Sequence, residues 1–232
     1  MDTKLNNDEI LIFMHVPKTA GSTLRSIITK QFHLSELYQH YPNAIRGKKT
    51  DNIKCILGHD YFGFHHELNK SYKYITMLRD PIDRVISEYY YIKRFEKHDP
   101  YIWKKIKENN LSLKDYIESQ DPKFQIRTNN LQTRYASGGD LNLEKAKSNL
   151  ENHFPIIGIT EKFNMSLLML GKFLMWDVSK YKNLEVNVNN MRVDKEEIPL
   201  QLQKRIENNN LLDIELYHWA TNLFKKRFFE IT

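Results

Sequence analysis

A polar turn near the N-terminus combines the residue types that bind anions. The apolar run Ile10–His15 leads into Pro-Lys-Thr-Ala-Gly-Ser-Thr (Pro17–Thr23), after which apolar residues recur at helical spacing as far as Ile28. The N–H groups at the start of a helix lack intrahelical partners and carry partial positive charge, so they attract anions. Lys18 adds a full charge, and Gly21 lets a phosphate approach the backbone closely. Hydroxyl donors are supplied by Thr19, Ser22 and Thr23.

The turn departs from two patterns that would explain it more simply. A nucleoside-triphosphate loop has the form G-x-x-x-x-G-K-[ST], with its lysine after the second glycine and a magnesium-binding Asp on a later strand. Here Lys18 precedes Gly21, the first glycine is missing, and no convincing magnesium strand follows. A plain helix cap by Ser22 would leave the lysine and the other hydroxyls unexplained. The turn therefore favours an anion site of another kind.

A second stretch, Tyr72–Arg94, places an arginine and a serine where they can meet another anion. Its first half predicts a strand that delivers Arg79 at its carboxyl end, on the same sheet edge as the first turn. An Asp-Pro step then predicts the start of a helix whose apolar stripe leaves Ser87 uncovered. Because arginine suits bidentate phosphate contact, Arg79 and Ser87 are candidates for a second anion site. A salt bridge to Asp80 or Asp83 explains the arginine alone equally well.

Short apolar runs alternate with segments of helical period, which predicts an α/β fold with a parallel sheet flanked by helices. The predicted strands are Ile10–His15, Ile53–Gly58, Tyr72–Leu78 and Pro155–Ile159, with Leu184–Val188 as a further candidate. The predicted helices are Ser22–Phe32, Pro81–Arg94, Ser112–Ser119, Leu143–Asn152 and Asn164–Leu174, with two more between Lys195 and Phe229. Ligands of such sheets bind beyond the carboxyl ends of the strands, where both motifs lie. Without repeats or flexible linkers, residues 1–232 are expected to form one domain, with a core over about 10–190 and a helical tail over about 195–230.

The composition restricts the function only broadly. The 232 residues carry a net charge of +6, with 41% hydrophobic and 12% aromatic residues, which argues against a disordered chain. The positive balance suits an anionic ligand, but it is also common in lysine-rich proteins that bind none. The single cysteine, Cys55, excludes an intrachain disulfide and is expected to be buried in a strand. Since neither a signal-peptide pattern nor an apolar run of roughly 20 residues is present, we expect a soluble, cytoplasmic protein.

Two anion sites at one sheet edge would suit a small molecule with two separate phosphates. The stretch VPKTAGST (16–23) resembles the 5′-phosphosulfate loop of sulfotransferases, and LRDPIDRVISEYY (78–90) resembles their 3′-phosphate motif, in matching order and separation. The stretches LGHDYFG, NNLQTRYASG and IIGITEKFNMSLLML extend the likeness, which runs from Ile10 to about Leu170. The chain most resembles the carbohydrate sulfotransferase family that includes heparan sulfate 2-O-sulfotransferase and soluble bacterial relatives.

The resemblance implies a P-loop-like α/β fold and the donor 3′-phosphoadenosine 5′-phosphosulfate (PAPS), which becomes 3′-phosphoadenosine 5′-phosphate (PAP) without a metal. It also implies an acceptor hydroxyl on a saccharide or glycolipid. The residues that it assigns to the 5′-phosphosulfate are Lys18, Thr19, Ala20, Gly21, Ser22 and Thr23. The residues that it assigns to the 3′-phosphate are Arg79 and Ser87.

The same resemblance suggests a mechanism. In-line sulfuryl transfer, treated by analogy with phosphoryl transfer, builds charge on the leaving oxygen, which Lys18 is suited to stabilise. His59 occupies the position of the family's general base, follows a predicted strand at the same sheet edge, and has an ordinary pKa of roughly 6.5 that suits this role. Asp60 and Glu67 are alternative bases. His15, just before the turn, is expected to brace it.

Three further assignments remain open in the sequence. We interpret Asn129–Gly138 as a loop near donor or acceptor, in which Gln132 and Arg134 are candidates for substrate binding or ordinary polar residues at a helix end. The adjacent His65 and His66 should diverge if they lie on a helix, so a structural or surface role is favoured over metal binding. An oligomer is possible.

Other functions compete with this assignment. A nucleotide kinase would need a triphosphate loop and magnesium ligands, and a magnesium requirement would support it. A nucleic-acid-binding protein would suit the charge, but no basic–aromatic module is recognisable, so we expect no nucleic-acid partner. A non-catalytic nucleotide binder would have no need of Lys18 and His59 together.

Overall fold

Parallel strands form the sheet that the alternation of strands and helices predicts. The computed structural model describes residues 5–6, 8–40, 52–68, 70–181 and 193–231. The strands are β1 (Ile10–Met14), β2 (Leu37–His40), β3 (Cys55–Gly58), β4 (Tyr72–Leu78) and β5 (Ile156–Ile159). Within these residues their order is β2-β3-β1-β4-β5, and every neighbouring pair is parallel. The candidate strand Leu184–Val188 lies outside the described residues.

The position of a strand in the sheet decides whether its sequence can be recognised as a strand. The central strand β1 reads ILIFM and is buried throughout, as expected for a parallel strand with both faces covered. By contrast, β2 reads LYQH and lies at one edge of the sheet, where two of its four residues are polar. The sequence does not predict β2 because this segment has neither a continuous apolar run nor a clear alternation.

The strand order brings the motif positions to one edge of the sheet. From β1 the chain goes to β2 and β3 on one side, then crosses to β4 and β5 on the other. The carboxyl ends of β1, β3 and β4 therefore border the switch point at which such folds bind ligands. The polar turn follows β1, His59 follows β3, and Arg79 follows β4. The predicted common edge is confirmed.

Helices flank the sheet and extend the chain beyond it. They are α1 (Gly21–Ile28), α2 (Pro81–Arg94), α3 (Pro100–Glu108), α4 (Leu113–Glu118), α5 (Pro122–Thr128), α6 (Leu131–Ser137), α7 (Leu143–His153), α8 (Phe163–Leu174), α9 (Leu200–Asn209) and α10 (Leu211–Ile231). The predicted bounds of α2, α4, α7 and α8 are correct to within one residue at each end. The helix predicted to reach Phe32 ends at Ile28 and continues as a 3₁₀ turn. The two predicted C-terminal helices are α9 and α10.

The interpretation of Asn129–Gly138 as a loop is wrong, because most of it forms α6. Asn130 and Gly138 adopt left-handed conformations with φ of 48° and 86° and bracket a helix of only seven residues. Such a short segment is too brief to show a helical period in the sequence. Its first N–H groups are capped by a residue far along the chain: Asp213 of α10 accepts from the N–H groups of Gln132 and Thr133 at 3.0 and 2.7 Å.

Two apolar clusters form the core of the described residues. The larger one packs the sheet against α1, α6, α7, α8 and α10, and the smaller one joins α2 to α3, α4, α5 and α9. Cys55 is fully buried in β3, as predicted, and this burial raises the pKa of its thiol. Among the described residues, none of the helices is both long and apolar enough to cross a membrane.

Candidate active site

The turn after β1 adopts a backbone shape that exposes N–H groups on one side. Lys18 and Ala20 have φ of 68° and 62°, left-handed values that cost a non-glycine residue on the order of 1 kcal/mol or more. Ala20 directly precedes the right-handed Gly21 of α1. A left-handed residue beside a right-handed one turns successive N–H groups toward a common concavity, which is a recurrent anion-binding feature.

The start of α1 is built differently from most other helix starts in the described chain. It has neither a side-chain cap nor an acidic residue in its first turn. By contrast, an Asp, Ser or Asn side chain caps each of α2, α3, α4, α5 and α7. Ser22 is exposed and Thr23 is half-buried, so both hydroxyls lie near this uncapped end. The N–H groups of the first turn are thus left for an acceptor from outside the helix.

Thr19 differs from its neighbours in the turn. Its side chain is fully buried, and its hydroxyl donates to the carbonyl oxygen of Val16 at 2.8 Å. The expected use of this hydroxyl as an anion donor is therefore not what the structure shows. The Thr19 side chain stabilises the turn, and only its backbone could serve an anion.

His15 packs against the start of α1 and so supports the turn, as expected. Its ring is 7% exposed, stacks on Phe13 at 5.4 Å and lies 4.2 Å from the ring of His59. A Cβ placed on Gly21 would overlap the His15 ring. Glycine at this position is therefore required by the close approach of α1 to His15, in addition to any approach of a phosphate.

Replacing Gly21 by alanine should lower the free energy of unfolding by about 1–3 kcal/mol, because the new methyl group must displace the His15 ring. Chemical denaturation would measure the loss. Ala20→Gly is the matched control. Glycine accepts the φ of 62° without strain, and this gain offsets its greater loss of backbone freedom on folding, so stability should be nearly unchanged. Equal stability of Gly21→Ala and the wild type would contradict the packing of His15 against α1.

The side chain of Lys18 is held over α2 by an aromatic ring. Its Nζ lies 3.4 Å from the centroid of the Tyr91 ring, a cation–π contact. Tyr91 in turn packs edge-on against His98, with centroids 4.6 Å apart. The sequence does not single out Tyr91, although its spacing of four residues from Ser87 places both on one face of α2.

A buried cluster of charged residues includes His98, which packs on Tyr91. Glu88 is fully buried and accepts from Nη1 of Arg127 and from Nε2 of His98, each at 3.2 Å. Burial alone would raise the pKa of Glu88, but the hydrogen bond from His98 and the charge of Arg127 bring it to about 2. Arg84 is also fully buried and donates to the Arg127 carbonyl at 2.6 Å. The charge of Arg84 thus lies inside the protein, where it is one of the effects that favour the ionised form of Glu88.

Arg79 joins the end of β4 to the Lys18 turn. Its Nη1 donates to the carbonyl oxygen of Lys18 at 3.2 Å, and its Nε lies 4.0 Å from Oε1 of Glu161. Glu161 also accepts from the Asp80 N–H at 3.1 Å, next to the cap of α2. The guanidinium is therefore fixed directly against the turn, so that anions held at the turn and at Arg79 would lie close together.

Ser87 faces the same region from α2. It is half-buried and lies one turn before Tyr91, whose ring contacts Lys18. Within the described part of the chain, no hydrogen bond joins the Ser87 hydroxyl to Arg79. The structure thus relates Ser87 to the Lys18 turn by way of Tyr91 and not by a hydrogen bond to Arg79.

Gln132 and Arg134 are occupied by contacts inside the protein. Gln132 is 1% exposed; its Oε1 accepts from the Arg79 N–H at 2.9 Å and its Nε2 donates to the Arg79 carbonyl at 2.8 Å. Such a buried side chain cannot contact an acceptor, so Gln132 positions Arg79 instead. Arg134 donates to the carbonyl oxygen of Gly139 at 3.3 Å and closes the turn after α6.

His59 has the geometry of a proton acceptor. It reaches the surface beyond β3, and its Nδ1 lies 2.8 Å from the carbonyl oxygen of His15. Because a carbonyl oxygen can only accept, Nδ1 carries the proton, and the lone pair of the neutral ring is on Nε2. One side of the ring packs on His15, and the burial of that side lowers the pKa of His59; the bond to the His15 carbonyl only partly opposes this effect. The ring is therefore neutral at pH 7 and can accept a proton at Nε2.

Of the alternative bases, Asp60 directly follows His59 beyond the carboxyl end of β3 and is half-buried, so it stays a candidate. The side chain of Glu67 lies outside the described part of the chain.

The pair His65 and His66 is structural in character, although its rings do not diverge as expected. Their centroids lie only 4.1 Å apart on a 3₁₀ turn. His65 is 5% exposed, and its Nδ1 lies 3.0 Å from the Tyr74 hydroxyl. Among the described residues, no group of three or more His, Cys, Asp or Glu could hold a metal ion.

Comparison with known proteins identifies relatives of the whole chain. The sequence profile of the sulfotransferase family matches residues 1–220. Human heparan-sulfate 6-O-sulfotransferase 2 is 23% identical over 303 aligned positions, which cover 98% of this chain and 46% of the relative. Mouse galactosylceramide sulfotransferase is 26% identical over 257 positions, which cover 93% of this chain and 57% of the relative. The chain thus spans about half the length of the curated relatives it matches.

A crystal structure of a sulfotransferase from Alicyclobacillus acidocaldarius has a TM-score of 0.48 and 12% identity, covering 90% of this chain and 94% of the other. The expected grouping with heparan sulfate 2-O-sulfotransferase is not confirmed, since the two relatives named above are a 6-O-sulfotransferase and a galactosylceramide sulfotransferase. The family assignment rests on the sequence profile, which spans far more than half of the residues. The chain belongs to the sulfotransferase family.

Proposed function

We propose that this protein transfers a sulfo group from PAPS to a hydroxyl group of a saccharide or glycolipid. The observation that carries the proposal is the hydrogen bond of 3.2 Å from Arg79 Nη1 to the Lys18 carbonyl. It holds the arginine next to the turn that carries the lysine, so two cationic residues lie at one sheet edge. PAPS has a phosphosulfate and a separate 3′-phosphate, and it needs two such positions. The family supports a sulfo donor, and the names of the relatives include a polysaccharide and a glycolipid as acceptors.

The residues fit the two ends of the donor. The turn from Lys18 to Gly21, with its left-handed residues and the uncapped start of α1, would hold the phosphosulfate. Arg79, with Ser87 nearby on α2, would hold the 3′-phosphate. The N–H groups, the lysine and the arginine all favour anions, and no carboxylate lies in the first turn of α1 to oppose them.

The donor supplies an activated sulfo group, and the side chains promote its transfer. His59 Nε2 takes the proton of the acceptor hydroxyl as its oxygen bonds to sulfur. The bond from sulfur to the phosphate oxygen breaks, and Lys18 stabilises the negative charge left on that oxygen. Tyr91 and Arg79 keep Lys18 and its turn in place for this step.

Calorimetric titration with PAP, AMP, ADP and ATP, each with and without magnesium, tests the proposal. Strong preference for PAP without a magnesium requirement is expected from two phosphate sites of this kind. Preference for ATP with magnesium would overturn the proposal in favour of a kinase, and equal or absent binding of all four would overturn the assignment of both motifs.

Arg79→Ala should weaken PAP binding by about tenfold to a hundredfold, the usual effect of losing a charged hydrogen bond. Binding of AMP, which lacks the 3′-phosphate, should weaken much less, because it loses only the support that Arg79 gives to the Lys18 turn. Arg205→Ala, at an exposed position of α9, is the matched control and should change neither affinity. If PAP and AMP weaken to the same degree, Arg79 acts by holding the turn rather than by contacting the 3′-phosphate.

A further inference from the structure

A cavity of about 220 Å³ lies beside His59, on the face of the sheet that α1 covers. Three of its lining residues come from neighbouring strands: Phe13 of β1 is paired with Leu57 of β3, and Leu57 is paired with Gln39 of β2. Residues paired in this way point to the same face of a sheet, and so do residues two positions further along each strand. His15 and His59, two positions after Phe13 and Leu57, therefore point to the same face and line the cavity at the carboxyl end of the sheet.

Arg25 lines the cavity from α1. It lies one helical turn after Gly21, and the two share the face of α1 that packs on His15. Its side chain lines the same cavity as the rings of His15 and His59, and its charge is, after burial, among the effects that lower the pKa of both. Among the residues that the structure describes, none forms an ion pair or hydrogen bond with this half-buried guanidinium.

Within the described part of the chain, no carboxylate balances the charge of Arg25 in this cavity. Its described lining contains a guanidinium, the amide of Gln39 and two imidazoles, but no carboxylate. A neutral ligand that filled it would remove water from Arg25 without providing a counter-charge, which is unfavourable. A ligand with an anionic group would form charge-assisted hydrogen bonds there instead.

Building on the proposed function, we propose that this cavity is the acceptor subsite and that Arg25 binds an anionic substituent of an acidic sugar. The acceptor hydroxyl would then lie at His59, between the anion in the cavity and the phosphosulfate at the Lys18 turn. The side of the sheet occupied by β2 and β3 would select the acceptor, and the side occupied by β4 would hold the donor nucleotide.

Imidazole NMR of His59 in the full chain with PAP bound tests this subsite. The probes are methyl β-D-glucuronide, glucose 6-sulfate and, as the neutral counterpart, methyl β-D-glucoside. Either charged sugar should shift the His59 signals of the wild type, and the more effective one identifies the anion as carboxylate or sulfate. Arg25→Gln should lower the affinity for that sugar by about tenfold or more. Arg25→Lys should retain part of it, and the exposed Arg205→Gln all of it.

The subsite is wrong if the neutral glucoside binds as tightly as both charged sugars, if Arg25→Gln binds them like the wild type, or if none of them shifts His59 at its solubility limit. PAP affinity is measured in the same samples. Intact PAP binding without any effect of Arg25 would overturn the acceptor subsite alone. Anion binding that depends on Arg25, in a protein that does not bind PAP, would instead overturn the proposed donor.

Discussion

Lys18→Ala is expected to lower turnover by on the order of 10²–10³-fold, the effect of removing a group that stabilises charge on the leaving oxygen. The protein should remain folded, since the side chain is only half-buried and alanine has the same difficulty as lysine in adopting the φ of 68°. PAP binding should weaken much less than turnover, because the N–H groups of α1 and Arg79 remain. Single-turnover kinetics with saturating PAPS would measure the chemical step directly.

The control for Lys18 removes an equal charge elsewhere. Lys107 is exposed on α3, so Lys107→Ala should leave turnover unchanged. Lys18→Arg is informative as well, because it retains the cation but differs in shape and hydrogen-bonding geometry from the ammonium. Turnover of Lys18→Ala within a few fold of the wild type would exclude Lys18 from the chemical step. A loss of PAP affinity as large as the loss of turnover would make it a binding residue only.

The location of the candidate site follows from the sequence because parallel topology places strand ends together. Once β1, β3 and β4 are identified as parallel strands, the residues that follow them must share one edge. Lys18, His59 and Arg79 therefore lie at one edge of the sheet, and the adjacency of β3, β1 and β4 makes them neighbours there. The helix starts are also local signals, as the Asp-Pro step before α2 illustrates.

The contacts that fix these residues are not local and leave no pattern in the sequence. Gln132 binds the backbone of Arg79 across 53 residues, and Asp213 caps the helix that carries Gln132 across 81 residues. Each of these polar residues resembles an ordinary surface residue in the sequence, and only the tertiary fold shows that it is buried. Sequence reasoning accordingly left Gln132 open between substrate binding and an ordinary polar position, whereas the structure shows it bound to the backbone of Arg79.

Local patterns also fail where two physical causes produce the same residue. Gly21 fits a phosphate loop, but the His15 ring alone would already require glycine there. Arg84 and Glu88 stand outside the apolar stripe of α2, yet both are fully buried. Arg84 donates to the backbone carbonyl of Arg127, and Glu88 accepts from the Arg127 guanidinium. Periodicity detects apolar faces and cannot distinguish a solvated charge from a buried, paired one.

His59→Ala is expected to reduce turnover by about 10²–10⁴-fold, the usual contribution of a general base, while PAP affinity stays close to that of the wild type. His59 lies on the β3 side of the turn and Arg79 on the β4 side, so loss of the imidazole should not disturb the 3′-phosphate position. His218→Ala, at an exposed position of α10, is the matched control and should change neither turnover nor PAP affinity. Added imidazole should restore part of the turnover of His59→Ala, because the adjoining cavity of about 220 Å³ can admit it.

The pH dependence gives His59 a second, independent test. Only the neutral ring accepts a proton, and burial lowers its pKa below the ordinary value of roughly 6.5. Turnover of the wild type should therefore be constant near pH 7 and fall only as the pH drops through this lowered pKa. The acidic limb should disappear from the residual turnover of His59→Ala. Persistence of the same limb would point to Asp60 or another group as the base, and a large loss of PAP affinity in the variant would make His59 a binding residue.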